Sequence, residues 1–270
     1  MRILYFFIVI TFFYSLFVYF IEPIPQRLSQ SQIQENTIKA ENYIFNNDSF
    51  YNVIIGTSLS SRLNFESLNN VKDLTFSGLS IYDGLNILLQ SNNKPNKIFI
   101  EVNFIFRNID DNFSRDLFTF PNYFFKKNFK ILRSDKTPIP LLGANISNLI
   151  KTEKFDENKT NISIINGYSE QMGAYYKVPT DSLVYLKRLK KIINLLQMKG
   201  FKIHFIEIPV SYNNSNQNYY NYIRETLIKN FKNVDYIKPD LTINWETTDG
   251  LHLSKSYANK FTKSIIYYFK

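Results

Sequence analysis

The stretch "YNVIIGTSLSSRL" (residues 51–63) decides the fold. Its first half is a short apolar run that stops at Gly56. Its second half is rich in hydroxyls and enters a helix-like turn. An apolar run without alternation, closed by glycine, fits a strand covered on both faces, as in a parallel sheet. The same punctuation recurs along the chain in "VKDLTFSG" (71–78), "NKIFIEVN" (96–103), "FKIHFIEIP" (201–209) and the weaker "VDYIKP" (234–239). Helical patterns fall between them at 80–90, 182–199 and 217–231. A last helix follows Ser254, a residue type suited to an N-cap. Strands alternating with helices predict an α/β fold with a central, mainly parallel five-stranded sheet.

Composition sets limits around this frame. A chain of 270 residues, 44% hydrophobic and 17% aromatic, has enough material for one sizeable α/β domain with an appendage. The net charge of +9 is spread along the sequence, which is the pattern of a solvated basic surface and not of a nucleic-acid patch. Such a surface also suits an anionic membrane or an acidic glycan. The absence of cysteine excludes disulfides, thiolate catalysis and cysteine-ligated zinc. The two histidines leave no ligand cluster for zinc, and no glycine-rich phosphate loop is present, so neither metal nor cofactor is expected.

The N-terminus reads as a membrane segment. "ILYFFIVITFFYSLFVYFI" (3–21) carries no charge and is followed by Glu22 and Pro23. About 20 apolar residues at roughly 1.5 Å each span a hydrocarbon core of about 30 Å. Residues 21–25 offer no small-residue cleavage site, so an uncleaved signal anchor is expected over a cleaved signal peptide. Arg2 on the short side favours a cytoplasmic N-terminus, with the rest of the chain outside the cytoplasmic membrane. The expected organisation is an anchor at 1–21, a stalk or linking helix at 22–47, and an α/β domain at 48–270. That domain is interrupted by a Phe-, Asn- and Lys-rich insertion at about 104–179, read as a lid or substrate wall.

Four features fall at the C-terminal ends of the predicted strands, the rim where parallel sheets bind ligands. Ser58 follows the first strand, where backbone N–H groups and a helix dipole favour an oxyanion. Gly78 closes the second strand, where the missing side chain lets a substrate oxygen approach the N–H. Asn103 closes the third and carries a side-chain amide donor. In "TTDGLHLSKSYANKF" (247–261), Asp249 precedes His252 by three residues. A serine nucleophile needs a histidine base, and that base needs an acceptor to orient it. His204, inside the apolar run "KIHFIEI", reads as a core or strand-face histidine.

In order and placement, these features resemble the SGNH (GDSL-type) hydrolase superfamily, across residues 51–270 and through short motifs. The resemblance implies a flavodoxin-like three-layer α/β/α fold. It implies Ser58 as nucleophile, Asp249 and His252 completing the triad, and an oxyanion hole of the Ser58 amide, Gly78 and Asn103. The chain departs from the family pattern at Thr57, where aspartate is usual, at Glu101, where glycine is usual, and at Phe104, where aspartate is usual. The activity implied is serine-dependent ester hydrolysis or acyl transfer, with O-acetyl or other acyl groups on a bacterial cell-envelope polysaccharide as the expected target. A membrane-bound O-acyltransferase is the partner the resemblance suggests. The alternatives are a non-catalytic binding or assembly module on the same fold and a lipase acting at the bilayer.

Overall fold

The computed structural model describes residues 2–20, 31–45, 51–137, 177–211 and 218–270. In chain order the elements are helices α1 (Arg2–Phe20) and α2 (Gln32–Phe45), strands β1 (Asn52–Gly56) and β2 (Val71–Thr75), helix α3 (Ile81–Gln90), strand β3 (Lys97–Glu101), and helices α4 (Asp111–Phe118) and α5 (Asn122–Asn128). After residue 177 come α6 (Ser182–Met198), β4 (Lys202–Ile206), α7 (Asn218–Asn230), β5 (Asp235–Ile237) and α8 (Lys255–Ile265). The chain divides into two compact units, one from Met1–Phe45 with Asn112–Lys154, the other from Asn46–Asp111 with Phe155–Lys270.

The second unit carries a five-stranded sheet in the order β2-β1-β3-β4-β5, every pair parallel. All five predicted strands are present, each shorter than its apolar run suggests. β1 and β3 lie at the centre; every residue of β1 is buried, as a strand covered on both faces requires. The register sets the two faces. Ile55 pairs with Ile100, and Ile100 with Phe205, so these three side chains share one face. On that face Gly84 of α3 lies against Ile55, and Phe205 meets Phe231, just past α7, edge to face. Ile54, Phe99 and His204 share the other face, where Phe269 stacks on Phe99 at 4.0 Å. Helical segments on both faces make this an α/β arrangement consistent with three layers.

The chain runs from β1 outward to β2, crosses back over β1 to β3, and continues through β4 to β5. The direction of winding therefore reverses between β1 and β3, and the C-terminal ends of these strands flank the crevice where such sheets bind ligands. Ser58 lies two residues past β1, Gly78 three past β2 and Asn103 two past β3. α3 starts firmly: the Ser80 N–H and hydroxyl both donate to Asp83 Oδ2, at 2.8 and 2.7 Å. α8 begins after Ser254, as expected, but the Ser254 hydroxyl makes no capping bond; the first turn closes through its carbonyl, which accepts from Ala258 N–H at 2.8 Å.

The first unit corrects one expectation. Among the described residues, no helix is long and apolar enough to cross a membrane. The apolar segment is helix α1, which has largely exposed side chains such as Ile3, Tyr5 and Phe13. Ile21 lies outside the described residues, and the helix is not uniform around its circumference. Val18 is buried, and the Tyr14 hydroxyl donates to the Lys136 carbonyl at 2.5 Å. In the same unit, the buried Glu41 of α2 accepts from Lys126 Nζ at 2.6 Å, Ser134 N–H at 2.7 Å and Ser134 Oγ at 2.9 Å. These bonds satisfy a carboxylate that would otherwise be costly to bury. Residues 112–137 of the expected insertion thus group with α1 and α2; residues 138–176, with most of "TPIPLLG", lie outside the described residues.

Candidate active site

Ser58, His252 and Asp249 meet. His252 Nε2 lies 2.9 Å from Ser58 Oγ, and His252 Nδ1 lies 2.6 Å from Asp249 Oδ2. Ser58 is 194 residues from His252 in sequence, so this contact is made by the sheet and not by local chain geometry. The three side chains form a nucleophile, a base and an acceptor that fixes the base's tautomer. A carboxylate can only accept, so the ring nitrogen suited to carry a proton toward Asp249 is Nδ1, and a neutral ring then offers Nε2 to the serine hydroxyl.

The histidine loop is organised mostly by its own residues, with one bond from outside it: Ser211 N–H donates to the Gly250 carbonyl at 3.1 Å. Asp249 Oδ1 accepts from the N–H groups of Leu251 and His252, at 3.0 and 2.8 Å. Gly250 N–H donates to Thr247 Oγ1 at 3.1 Å, and Thr248 N–H to the His252 carbonyl at 2.8 Å. A single antiparallel bridge joins Thr247 to Leu253. Gly250 adopts φ of 89°, a left-handed conformation that favours glycine and lets the chain fold Asp249 back toward His252. Burial by itself pushes the Asp249 carboxyl up. The hydrogen bond and charge of His252, with the two backbone N–H groups, outweigh it and hold the carboxyl below its ordinary range.

The serine loop is held by a group that the sequence pattern marks only as a departure. Glu101, fully buried at the end of β3, reaches across to the residues after β1. Its Oε2 accepts from Thr57 N–H at 2.8 Å, Ser60 N–H at 3.1 Å and Ser60 Oγ at 2.6 Å; its Oε1 accepts from Thr57 Oγ1 at 2.7 Å. Thr57 Oγ1 also accepts from Leu59 N–H at 3.3 Å. Thr57, Leu59 and Ser60 are buried, and Ser58 between them is partly exposed. Of the four N–H groups from Thr57 to Ser60, that of Ser58 alone makes no hydrogen bond among the described residues. It is therefore available to an incoming oxygen.

The other two expected oxyanion donors differ from each other. Gly78 sits in an exposed turn with φ of 79°, and its N–H makes no hydrogen bond among the described residues. Asn103 is fully buried and clasps the backbone past β4. Its Nδ2 donates to the Ile208 carbonyl and its Oδ1 accepts from Ile208 N–H, both at 2.8 Å. One of its two amide hydrogens is thus committed to tying β3 to β4, and the hydrogen bonds that join Ser58, His252 and Asp249 do not include it. Next to this clasp, Glu207 accepts from Arg224 Nε and Nη2 at 2.9 and 2.5 Å and from the Tyr236 hydroxyl at 2.8 Å.

His204 stands apart from the site, as its apolar strand suggests. Its ring stacks on Phe99 at 4.9 Å between centroids. Its Nδ1 lies 3.3 Å from Asp235 Oδ2 without hydrogen-bond geometry, and burial lowers its pKa. Among the described residues, no three His, Asp or Glu side chains gather to hold a metal ion. Compared with protein-family models, with curated proteins and with solved structures, the chain shows no match.

Proposed function

We propose that this protein is a divergent member of the SGNH (GDSL-type) hydrolases that carries out serine-dependent acyl transfer or ester hydrolysis. The observation that carries this reading is the continuous chain of bonds from Ser58 Oγ through His252 to Asp249, at 2.9 and 2.6 Å. In this reading His252 Nε2 takes the proton as Ser58 Oγ bonds to the acyl carbon. The tetrahedral oxyanion is met by the Ser58 and Gly78 N–H groups and by the remaining hydrogen of the Asn103 amide. His252 then returns the proton to the departing alkoxide as the ester C–O bond breaks. A second hydroxyl, of water or of a sugar, takes the acyl group from Ser58 by the same steps in reverse. The sugar acceptor makes the protein an O-acyltransferase, and water makes it an esterase.

The exposed apolar side chains of α1 support attachment to a membrane, here the bacterial cytoplasmic membrane with the sheet-bearing unit on its outer side. Acyl groups on a cell-envelope polysaccharide are the substrate class that this location gives, with a membrane-bound O-acyltransferase as a partner. The clasp between Asn103 and Ile208 favours a second reading, a non-catalytic binding or assembly module, because it draws on one of the expected donors.

A serine-reactive fluorophosphonate decides between them. The catalytic reading expects stoichiometric labelling of wild type at Ser58, turnover of short-chain acyl esters, and loss of both in Ser58→Ala with an unchanged melting temperature. A folded wild-type chain that takes no label and turns over no ester sinks it.

A further inference from the structure

Glu101 is a buried carboxylate with no cation bonded to it among the described residues, and its hydrogen bonds go not to the nucleophile but to the residues beside it. Its four hydrogen bonds go to the residues that flank Ser58: two to Thr57 and two to Ser60. We propose that Glu101 is the positioning residue of the nucleophile, setting the direction of the Ser58 hydroxyl and N–H by clamping the chain on both sides of it. This inference rests on the acyl-transfer reading above.

Three features point this way. The carboxylate accepts at both oxygens, and two of its donors are backbone N–H groups, so the loop's main chain is fixed and not only its side chains. Room for the clamp is built into β1: a Cβ on Gly56 would lie 1.9 Å from Ser60 Oγ and 2.7 Å from Glu101 Oε2. The clamp also engages the N–H groups of Thr57, Leu59 and Ser60, directly or through Thr57 Oγ1, while that of Ser58 makes no hydrogen bond among the described residues. A displacement of about 1 Å in a reacting group can cost about 100-fold in rate, so a clamp on the flanks acts on kcat without touching substrate.

The experiment compares the full-length chain with Glu101→Ala, Glu101→Gln and Thr57→Val. It measures the rate constant of fluorophosphonate labelling, kcat and KM on p-nitrophenyl acetate, and thermal melting. Glu101→Ala is expected to label roughly 30- to 100-fold more slowly, with kcat falling in parallel and KM within about twofold. Glu101→Gln is expected to stay within about tenfold of wild type. Its amide oxygen keeps the backbone bonds, and its NH2 group donates to the Thr57 hydroxyl. Thr57→Val, which loses the Oγ1 bonds alone, is expected about three- to tenfold down. A purely structural role would lower the melting temperature and leave the labelling rate of folded protein unchanged. If Glu101→Ala does not fold, Thr57→Val labelling at the wild-type rate overturns the proposal. A labelled wild type with indifferent variants overturns this inference alone; an unlabelled wild type overturns it together with the acyl-transfer reading.

Discussion

The two loops that meet at the site are held to different degrees by distant side chains. The histidine loop is fixed mainly by partners within a few residues of each other: Asp249 with His252, Gly250 with Thr247, Thr248 with His252; one distant bond joins them, from Ser211 N–H to the Gly250 carbonyl at 3.1 Å. The serine loop has local bonds as well, such as Ser61 N–H to the Thr57 carbonyl, but Thr57 and Ser60 are also held from 44 and 41 residues away, by one buried carboxylate on the neighbouring strand. A locally closed loop keeps its shape as long as its own sequence is intact. A loop clamped at a distance keeps its shape only while β1 and β3 stay in register. Lesions in the first should act on the acid-base pair and leave the fold standing; lesions in the second should couple stability to activity.

The largest separation is expected from Asp249→Asn. The asparagine oxygen can keep the bonds from Leu251 and His252 N–H, so the loop stays closed. The amide cannot accept the Nδ1 proton while presenting its NH2 group to the ring, and the histidine loses its orientation. Loss of such an acceptor costs roughly 10²- to 10⁴-fold in kcat, measurable on a short-chain acyl ester. The variant also carries a pH signature. The Asp249 carboxyl lies below its ordinary range in the fold, so its ionised form contributes stability above the unfolded value of about 3.9, lost as pH falls through the folded value. The stability gap between wild type and Asp249→Asn should therefore narrow on acidification through that window. A gap that widens there contradicts the assignment.

Gly56→Ala tests the distant clamp by crowding it. The added methyl would sit between Ser60 Oγ and Glu101 Oε2 at distances that neither atom tolerates. Overpacking of this kind costs about 1–3 kcal/mol. Urea unfolding should show that loss together with a fall in kcat, because the strained atoms hold Ser58. A variant that loses stability with full activity per folded molecule would separate the clamp from the chemistry.

The contrast also explains what was legible in the sequence. Apolar runs closed by glycine, proline or asparagine located all five strands, since a buried parallel strand has a continuous apolar pattern whatever its neighbours are. Their ends were overestimated because the apolar pattern runs on into the loops: Phe76 and Val102 are buried beyond the last paired residues of β2 and β3. Ser58, Asp249 and His252 were legible from residue type and order along the rim. Glu101 was not, because a glutamate that ends a strand looks the same whether its carboxylate faces water or a neighbouring loop. The available signal was combinatorial: an acidic residue closing a central strand, opposite a loop with four hydroxyls after a glycine. Asn103 shows the same limit, since its position was read correctly while its bond to Ile208 depends on a strand 105 residues away. The apolar N-terminal helix was legible, but not the inward turn of Tyr14 and Val18.

The smallest effect is expected where the histidine loop is held most redundantly. Thr247→Val keeps the shape of the side chain and removes the acceptor for Gly250 N–H, a bond of 3.1 Å. A hydrogen bond of this kind contributes about 0.5–1.5 kcal/mol, and thermal melting should register a loss near the lower end because the site is only partly buried. The bridge from Thr247 to Leu253 and the bond from Thr248 N–H to the His252 carbonyl do not use the threonine hydroxyl. Asp249 therefore stays folded over His252, and kcat should change by less than about threefold. If Thr247→Val instead reduces kcat as much as Thr57→Val does, the histidine loop is not self-sufficient. The two halves of the site would then depend equally on single side chains, and the difference between a local and a distant clamp would carry no functional weight.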